Sequence, residues 1–241
     1  MSNSSKAMGT LETKRNSIWW LQMSQDDLWY LVGLLAADGC LSGDGRHIDI
    51  TAKERSFLES LKQRCGIPQK IAQKKNGRGQ IAHRIQIGSV SFYRFLLDIG
   101  MMPNKSKRIG ELRVPDDSFH HFLRGIIDGD GSIRRWIHPS NGGEQWSLRI
   151  TGASRPFMSW LMRATRCLMG ALGKLHEETN GASVKYILKF GKIAAQRLLS
   201  ICYREGDVSL ERKELYARRC IQSERGWRRS KTVLDRSTLF A

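Results

Sequence analysis

Two stretches of the chain finish in the same pair of residues. Leu31-Val-Gly-Leu-Leu-Ala-Ala-Asp-Gly39 and Leu123-Arg-Gly-Ile-Ile-Asp-Gly-Asp-Gly131 share a glycine in third place and a terminal Asp-Gly. Leu31, Leu34 and Leu35, and likewise Leu123, Ile126 and Ile127, recur at helical spacing, which predicts helices over 27–38 and 119–130. Asp38 and Asp130 then sit at the negative ends of helix dipoles, where Lys or Arg is the favoured residue. Small residues four apart, Gly33/Ala37 and Gly125/Gly129, let two helix backbones approach closely. Packed side by side, the helices bring Asp38 and Asp130 into one small space, where the carboxylates repel. A divalent cation offsets both penalties. Mg²⁺, or Mn²⁺ in its place, is held by one or two carboxylates together with water and phosphate oxygens. Carboxylates sharing such ions can activate water and stabilise the leaving oxygen of a phosphodiester. The simpler reading, that each Asp-Gly is only a tight turn, is outweighed by the matched pair in a strongly basic chain.

The sequence that must position these acids also repeats. Ile50-Thr51 with Arg55 and Phe57 recurs as Ile150-Thr151 with Arg155 and Phe157. Asn76-Gly77 pairs with Asn180-Gly181, Ile85-Gln-Ile-Gly88 with Leu188-Lys-Phe-Gly191, and Arg94-Phe-Leu with Arg197-Leu-Leu. The same order over such a span marks two equivalent halves, 24–114 and 115–215, between an N-terminal extension (1–23) and a basic C-terminal tail (216–241). Each half begins with a helix-start signal: Ser24 with Asp26 and Asp27, and Asp116, Asp117 and Ser118 after Pro115. Each motif helix ends at a glycine, Gly39 or Gly131, as a glycine C-cap would place it. Hairpins follow, turning at Gly43-Asp44-Gly45 and around Pro139–Gly143. Strands at His47–Thr51 and Ser147–Thr151 alternate apolar and polar residues. Helices at 55–64 and 155–169, a second hairpin, and helices at 92–99 and 193–202 complete an α+β grammar, αββαββα twice.

Alternation of period two gives each antiparallel sheet an apolar face beneath helices and a polar face. The polar side chains are Arg46, His47, Asp49, Lys53, Arg84 and Gln86 in the first half, and Arg134, Trp136, Arg149, Lys185 and Lys189 in the second. A net charge of +17 points to a polyanionic partner, nucleic acid before an anionic membrane surface. A two-stranded ribbon fits the DNA major groove, and these residue types contact base edges and phosphates. Hydrophobic content of 40% supports real cores. The best apolar run, Tyr30–Ala37, is far short of the ~20 residues of a membrane span, and the polar N-terminus lacks a signal-peptide core. The five cysteines are odd in number and scattered without a CxxC pair, and the histidines lack zinc-ligand spacing. A cytoplasmic or other reducing, DNA-containing compartment is expected, with no secretion and no zinc site.

The doubled motif and its flanking repeat resemble the single-chain LAGLIDADG homing endonucleases over nearly the whole chain. Asp38 and Asp130 match the motif's final acid, which in the family binds metal, and the metal assignment takes in the following Gly39 and Gly131. Gly33 and Gly125 match the helix-packing glycine. The first motif departs with Ala36 where the second keeps Asp128, a difference expected to touch packing or polarity near the interface. Val32 and Arg124 depart too, and Arg124 is expected to point out of the interface. The resemblance implies two pseudo-symmetric αββαββα units with saddle-shaped sheets over the DNA major groove. It also implies cleavage of both strands across the minor groove, leaving short 3′ overhangs, and a supporting basic residue late in each half. Asn104-Lys-Ser-Lys107 and Glu211-Arg-Lys213 supply the candidates: Lys105 and Lys213, with Lys107 and Arg212 as rivals. The implied partner is double-stranded DNA with a long, pseudo-palindromic target, bound by a monomer.

Other nuclease patterns do not hold. Pro115-Asp116 and Glu211-Arg-Lys213 spell the parts of a PD-(D/E)xK nuclease nearly a hundred residues apart. His120-His121 lacks an HNH framework, no Walker A loop is present, and the chain lacks the termini of an intein. Two alternatives stay open on the same fold: an intron maturase that binds RNA, and a catalytically silent DNA-binding regulator. Retention of both acids weighs against the second. Ile18-Trp19-Trp20 is free to pack on the first half or to touch DNA, and Arg225–Lys231 suits phosphate contact.

Overall fold

The computed structural model describes residues 18–75, 79, 81–140, 142–181 and 183–223. Helix α1 (Gln25–Ala37) starts two residues before the predicted 27, where Ser24 Oγ accepts the Asp27 amide at 3.1 Å. Its equivalent α4 (Phe119–Asp130) emerges from a 3-10 turn at Asp116–Ser118, and Ser118 makes no side-chain cap. Residues Leu28 to Ala36 are all buried, because α1 packs along α4 within the core.

Each half folds its two hairpins into one antiparallel sheet. The first contains β1 (Cys40–Leu41), β2 (His47–Ala52), β3 (Ile71–Lys75) and β4 (Ile81–Gly88) in the order β1-β2-β4-β3. The second contains β5 (Gly131–Ile137), β6 (Glu144–Gly152), β7 (Lys174–Asn180) and β8 (Ser183–Gly191) in the order β5-β6-β8-β7. The helices between are α2 (Arg55–Arg64) and α3 (Val90–Asp98) in the first half, α5 (Arg155–Met169) and α6 (Lys192–Cys202) in the second. This mixed α/β architecture is the doubled αββαββα arrangement that the repeat implied.

Alternation decides which face is covered. Ile48, Ile50, Ile85 and Ile87 are buried against Leu58, Leu61, Phe92 and Leu96; Leu148, Ile150, Leu188 and Phe190 are buried with Leu161, Ala195, Leu198 and Leu199. At ~25 cal/mol per Å² of apolar surface, each such side chain contributes roughly 1.5–3 kcal/mol. The two halves differ at their first hairpins. Asp44 Oδ1 accepts the amides of Arg46 and His47 at 3.1 and 3.0 Å, closing a tight turn at Gly45 with φ +78° and leaving β1 two residues long. The second hairpin turns later, so β5 extends over seven residues.

A helix without counterpart, α7 (Glu211–Gln222), follows the second half and runs across the expected boundary at residue 215. Gln196 Nε2 holds its end by donating to the carbonyls of Cys220 and Ser223 at 3.0 and 2.7 Å. Before α1, a 3-10 turn (Trp19–Gln22) packs on the first half: Trp19 lies 5.7 Å from Phe92 and Trp20 stacks on Phe95 at 4.9 Å. Met1–Ser17, Asn76-Gly77 and Arg225–Lys231 lie outside the described residues. Among the described residues no helix is long and apolar enough to cross a membrane, and all five cysteines are free.

Candidate active site

The site begins where α1 and α4 touch. A Cβ on Gly33 would fall 2.0 Å from the Phe122 carbonyl oxygen, and one on Gly125 would fall 2.2 Å from that of Tyr30. Backbone meets backbone there, and no side chain can yield. One turn on, a Cβ on Gly129 would lie 2.5 Å from the Ala37 Cβ and 3.4 Å from Asp38 Oδ2. The four small residues therefore set the separation of the helix ends, and with it the separation of the acids.

Asp38 is the exposed C-cap of α1, and Asp130 is the half-buried last residue of α4. The Asp130 carboxyl is pushed up to about 6, first by burial and then by the Asp38 charge, against the pull of Lys105 and Lys213. The glycines that follow the acids are not in the left-handed conformation. Gly131 is extended at φ −80°, ψ 153°, and Gly39 is absent from the positive-φ positions. Crowding explains them: a Cβ would sit 2.6 Å from Leu35 Cα at Gly39 and 2.4 Å from the Ile127 oxygen at Gly131.

One buried lysine approaches each helix end. Lys105 follows Asn104, whose φ of +54° turns the chain into a short 3-10 segment, and its Nζ donates to the Ala37 carbonyl at 3.0 Å. Lys213, in the first turn of α7, donates to the Ile127 carbonyl at 3.2 Å and also to that of Gly131. These ammoniums place positive charge at helix C-termini, as the dipole favours. Burial lowers both lysine pKa values, while Asp130 and Asp38 raise them. Lys107 is exposed, and Arg212 donates to Glu54 Oε1 at 3.1 Å. A cavity of about 330 Å³ opens beside Asp38, Lys105, Asp130 and Lys185, and another of about 510 Å³ beside Asp38, Thr51, Lys53 and Arg212. A groove of about 580 Å³ between α2 and α7 contains neither acid.

Two carboxylates set together with no third acid suit a hard cation that completes its shell with water and phosphate. Among the described residues no cluster of three or more His, Cys, Asp or Glu is placed to hold a metal. The Gly131 carbonyl accepts from Lys213, and Gly39 is buried.

Asp128, which Ala36 replaces in the first motif, bridges the interface. Its carboxylate accepts from Tyr30 Oη of α1 at 2.8 Å, from Tyr203 Oη at 2.7 Å and from the Leu210 amide at 2.8 Å. Burial pushes this carboxyl up to about 6 despite those bonds. Leu210 is the N-cap of α7, so Asp128 ties the helix carrying Lys213 to the motif. The expectation for Arg124 is corrected: it is fully buried, with its guanidinium 4.9 Å over the Tyr30 ring. It donates to the carbonyls of Val208 and Cys202, each at 3.0 Å, and to Asp207 at 2.7 Å. These three partners lie 78 to 84 residues away, and the one local contact is His121 Nδ1 at 3.1 Å.

On the polar faces, Asp49 is paired with Gln86 and Thr51 with Arg84; His47 is held by Asp44 at 2.5 Å. Arg46 and Lys53 are exposed at either end of β2. In the second sheet Arg134 pairs with Ser147 and Arg149 with Lys189; Arg134, Trp136 and Lys185 are exposed.

Two αββαββα halves joined through a pair of glycine-packed helices, each ending in an acid, define the LAGLIDADG architecture, and this chain has that fold. Residues 25–100 match the LAGLIDADG-like domain family. The chain resembles the homing endonuclease I-WcaI bound to its DNA recognition sequence, with 12% identity over 85% of this chain and 91% of that one and a TM-score of 0.59. It also resembles the LAGLIDADG meganuclease I-AabMI bound to uncleaved DNA, with 17% identity, 80% and 88% coverage and a TM-score of 0.51. Full-length WhiA from Thermatoga maritima matches at 12% identity and a TM-score of 0.51, over 85% of this chain and 64% of that protein. No curated protein sequence matches the chain.

Proposed function

We propose that the chain is a site-specific double-strand DNA endonuclease of the homing type. The observation that carries this reading is the pairing of Asp38 and Asp130 at two helix ends, each end contacted by a buried lysine. Asp38 and Asp130 would hold Mg²⁺, or Mn²⁺, with water and the DNA phosphates completing the shell. The bound metal supplies an activated water and charge stabilisation at the leaving 3′ oxygen. Lys105 and Lys213 keep the helix carbonyls occupied and put positive charge beside the acids. The glycines fix the spacing, and the polar sheet faces bind a long, pseudo-palindromic duplex. Both acids reside in one chain, which favours a monomer cutting both strands across the minor groove to leave short 3′ overhangs. Five unpaired thiols and a net charge of +17 suit a cytoplasmic or other reducing, DNA-containing compartment.

The fold shared with WhiA keeps a DNA-binding regulator as the second reading, and the retained acid pair weighs against it. A plasmid library carrying a long randomised insert, incubated with Mg²⁺, tests the proposal. Linear products are expected with the wild-type chain and not with Asp38→Asn or Asp130→Asn. Selective binding without any cleavage would instead support the regulator. Selective binding of the transcript of a host intron would support a maturase role.

A further inference from the structure

The two polar sheet faces share one strand order and differ in charge along the row nearest the motif glycines. In the first sheet this row runs from Cys40 through Asp49 to Gln86. In the second the equivalent row runs from Ser132 through Arg149 and Lys189 to Lys174. Each row starts one residue after its motif glycine, so the two positions are related by the pseudo-symmetry of the fold. Neighbouring strands lie roughly 4.8 Å apart, and like charges directly opposite one another are destabilising. Three cations side by side therefore call for a ligand rich in acceptors. Arg149 Nε is buried with no hydrogen-bond partner among the described residues, and so is Asp49 Oδ1, whose nearest cation is Arg84 Nε at 3.8 Å.

We propose that the two rows read different bases at symmetry-related positions of the target. Arg and Lys side chains only donate, and the major-groove edge that offers two acceptors is guanine, through O6 and N7. The Arg149–Lys189 row takes guanine. A carboxylate only accepts and repels those same atoms, so Asp49 requires a base with an amino hydrogen, adenine or cytosine. Gln86 beside it suits adenine N6 and N7. The target thus departs from a palindrome at this pair of positions. This inference rests on the DNA-recognition reading above.

Selection of duplexes from a fully randomised pool by the full chain in Ca²⁺ tests it. Wild type, Arg149→Gln, Lys189→Gln and the double variant Asp49→Arg/Gln86→Lys are compared. The wild-type consensus is expected to hold guanine in one half opposite an amino-bearing base in the other. Either glutamine variant should weaken that guanine preference about ten- to a hundredfold. The double variant should gain guanine at the symmetry-related position; should it not fold, the glutamine variants decide alone. Identical bases at the two positions, or glutamine variants that lose affinity evenly with an unchanged consensus, would overturn the proposal and make the row a phosphate contact. Failure of the wild type to enrich any duplex would instead defeat sequence-specific DNA recognition itself.

Discussion

The ammonium of Lys105 donates a 3.0 Å hydrogen bond to the carbonyl oxygen of Ala37, the residue before Asp38. Lys213 makes the matching contact at the other helix end, to Ile127 and Gly131. Each lysine thus sits beside one acid through a backbone carbonyl, not in a direct ion pair with it. Replacing either by Met keeps the aliphatic stem and removes the charge. Single-turnover cleavage of a selected duplex should fall about 10²–10³-fold, the scale of one lost electrostatic group, while the Kd changes less than threefold. Because each lysine serves one end, nicked DNA should accumulate before linear product. Equal loss of binding and cleavage would reassign both lysines to DNA affinity.

Two acids of α4, Asp130 and Asp128, make stability depend on pH in a direction opposite to that of most carboxylates. Asp130 and Asp128 are both pushed up to about 6 from an ordinary value near 3.8. Between those values the folded chain binds more protons than the unfolded one, so stability falls as pH rises. The contribution is fully present below about pH 4 and is lost as pH passes 6. A divalent ion that neutralises the Asp38 and Asp130 pair should offset this only where Asp130 is ionised. Mg²⁺ or Ca²⁺ is therefore expected to raise the Tm more at pH 7.5 than at pH 5, and Asp130→Asn should raise the metal-free Tm at pH 7.5. A metal-induced shift independent of pH between 5 and 7.5 would count against a shared site.

Gly33 and Gly125 face backbone atoms at about the limit of approach, as the 2.0 and 2.2 Å distances to a hypothetical Cβ indicate. Gly33→Ala must separate the helices. Overpacking of this kind costs about 1–3 kcal/mol or more, and the wider spacing should also lower cleavage in preparations that remain folded. Chemical denaturation and single-turnover rates measure the two effects. A Gly33→Ala protein with unchanged stability and rate would show that this contact does not set the acid spacing.

Much of this site is legible in the chain because it is built twice. The pairing of Leu31–Gly39 with Leu123–Gly131 locates both acids, and alternation through Ile48–Ile50 and Leu148–Ile150 locates both sheets. Lys105 and Lys213 stand out only through family resemblance, since 40 residues of the chain are Lys or Arg. Helix α7 escapes detection for a physical reason: it buries only Lys213, Ala217 and Cys220, a stripe too thin and too polar to show a helical period. The glycines after the acids read as helix ends, and close packing on Leu35 and Ile127 is what requires them. Arg124 and Asp128 read as departures inside otherwise apolar helices. Most of their partners, Tyr30 of the other motif helix and residues 202–210, are brought close only by the finished fold.

Asp128 links the stability of the second half to the chemistry of its acid. Three donors converge on its buried carboxylate, one of them the Leu210 amide that opens α7. Asp128→Ala leaves Tyr30, Tyr203 and Leu210 with unmet donors, at about 1–3 kcal/mol for each buried group, so a loss of roughly 3 kcal/mol or more is expected. Asp128→Asn keeps one acceptor oxygen and should cost less. Because Lys213 lies one turn from Leu210, both variants should also slow cleavage at the Asp130 end, with nicked product as the signature. Tyr203→Phe removes one donor and leaves the Leu210 bond intact; it should lower the Tm slightly and leave the cleavage rate near wild type. If Tyr203→Phe slows cleavage as much as Asp128→Asn does, the coupling runs through the packing of the whole connector and not through the Leu210 amide.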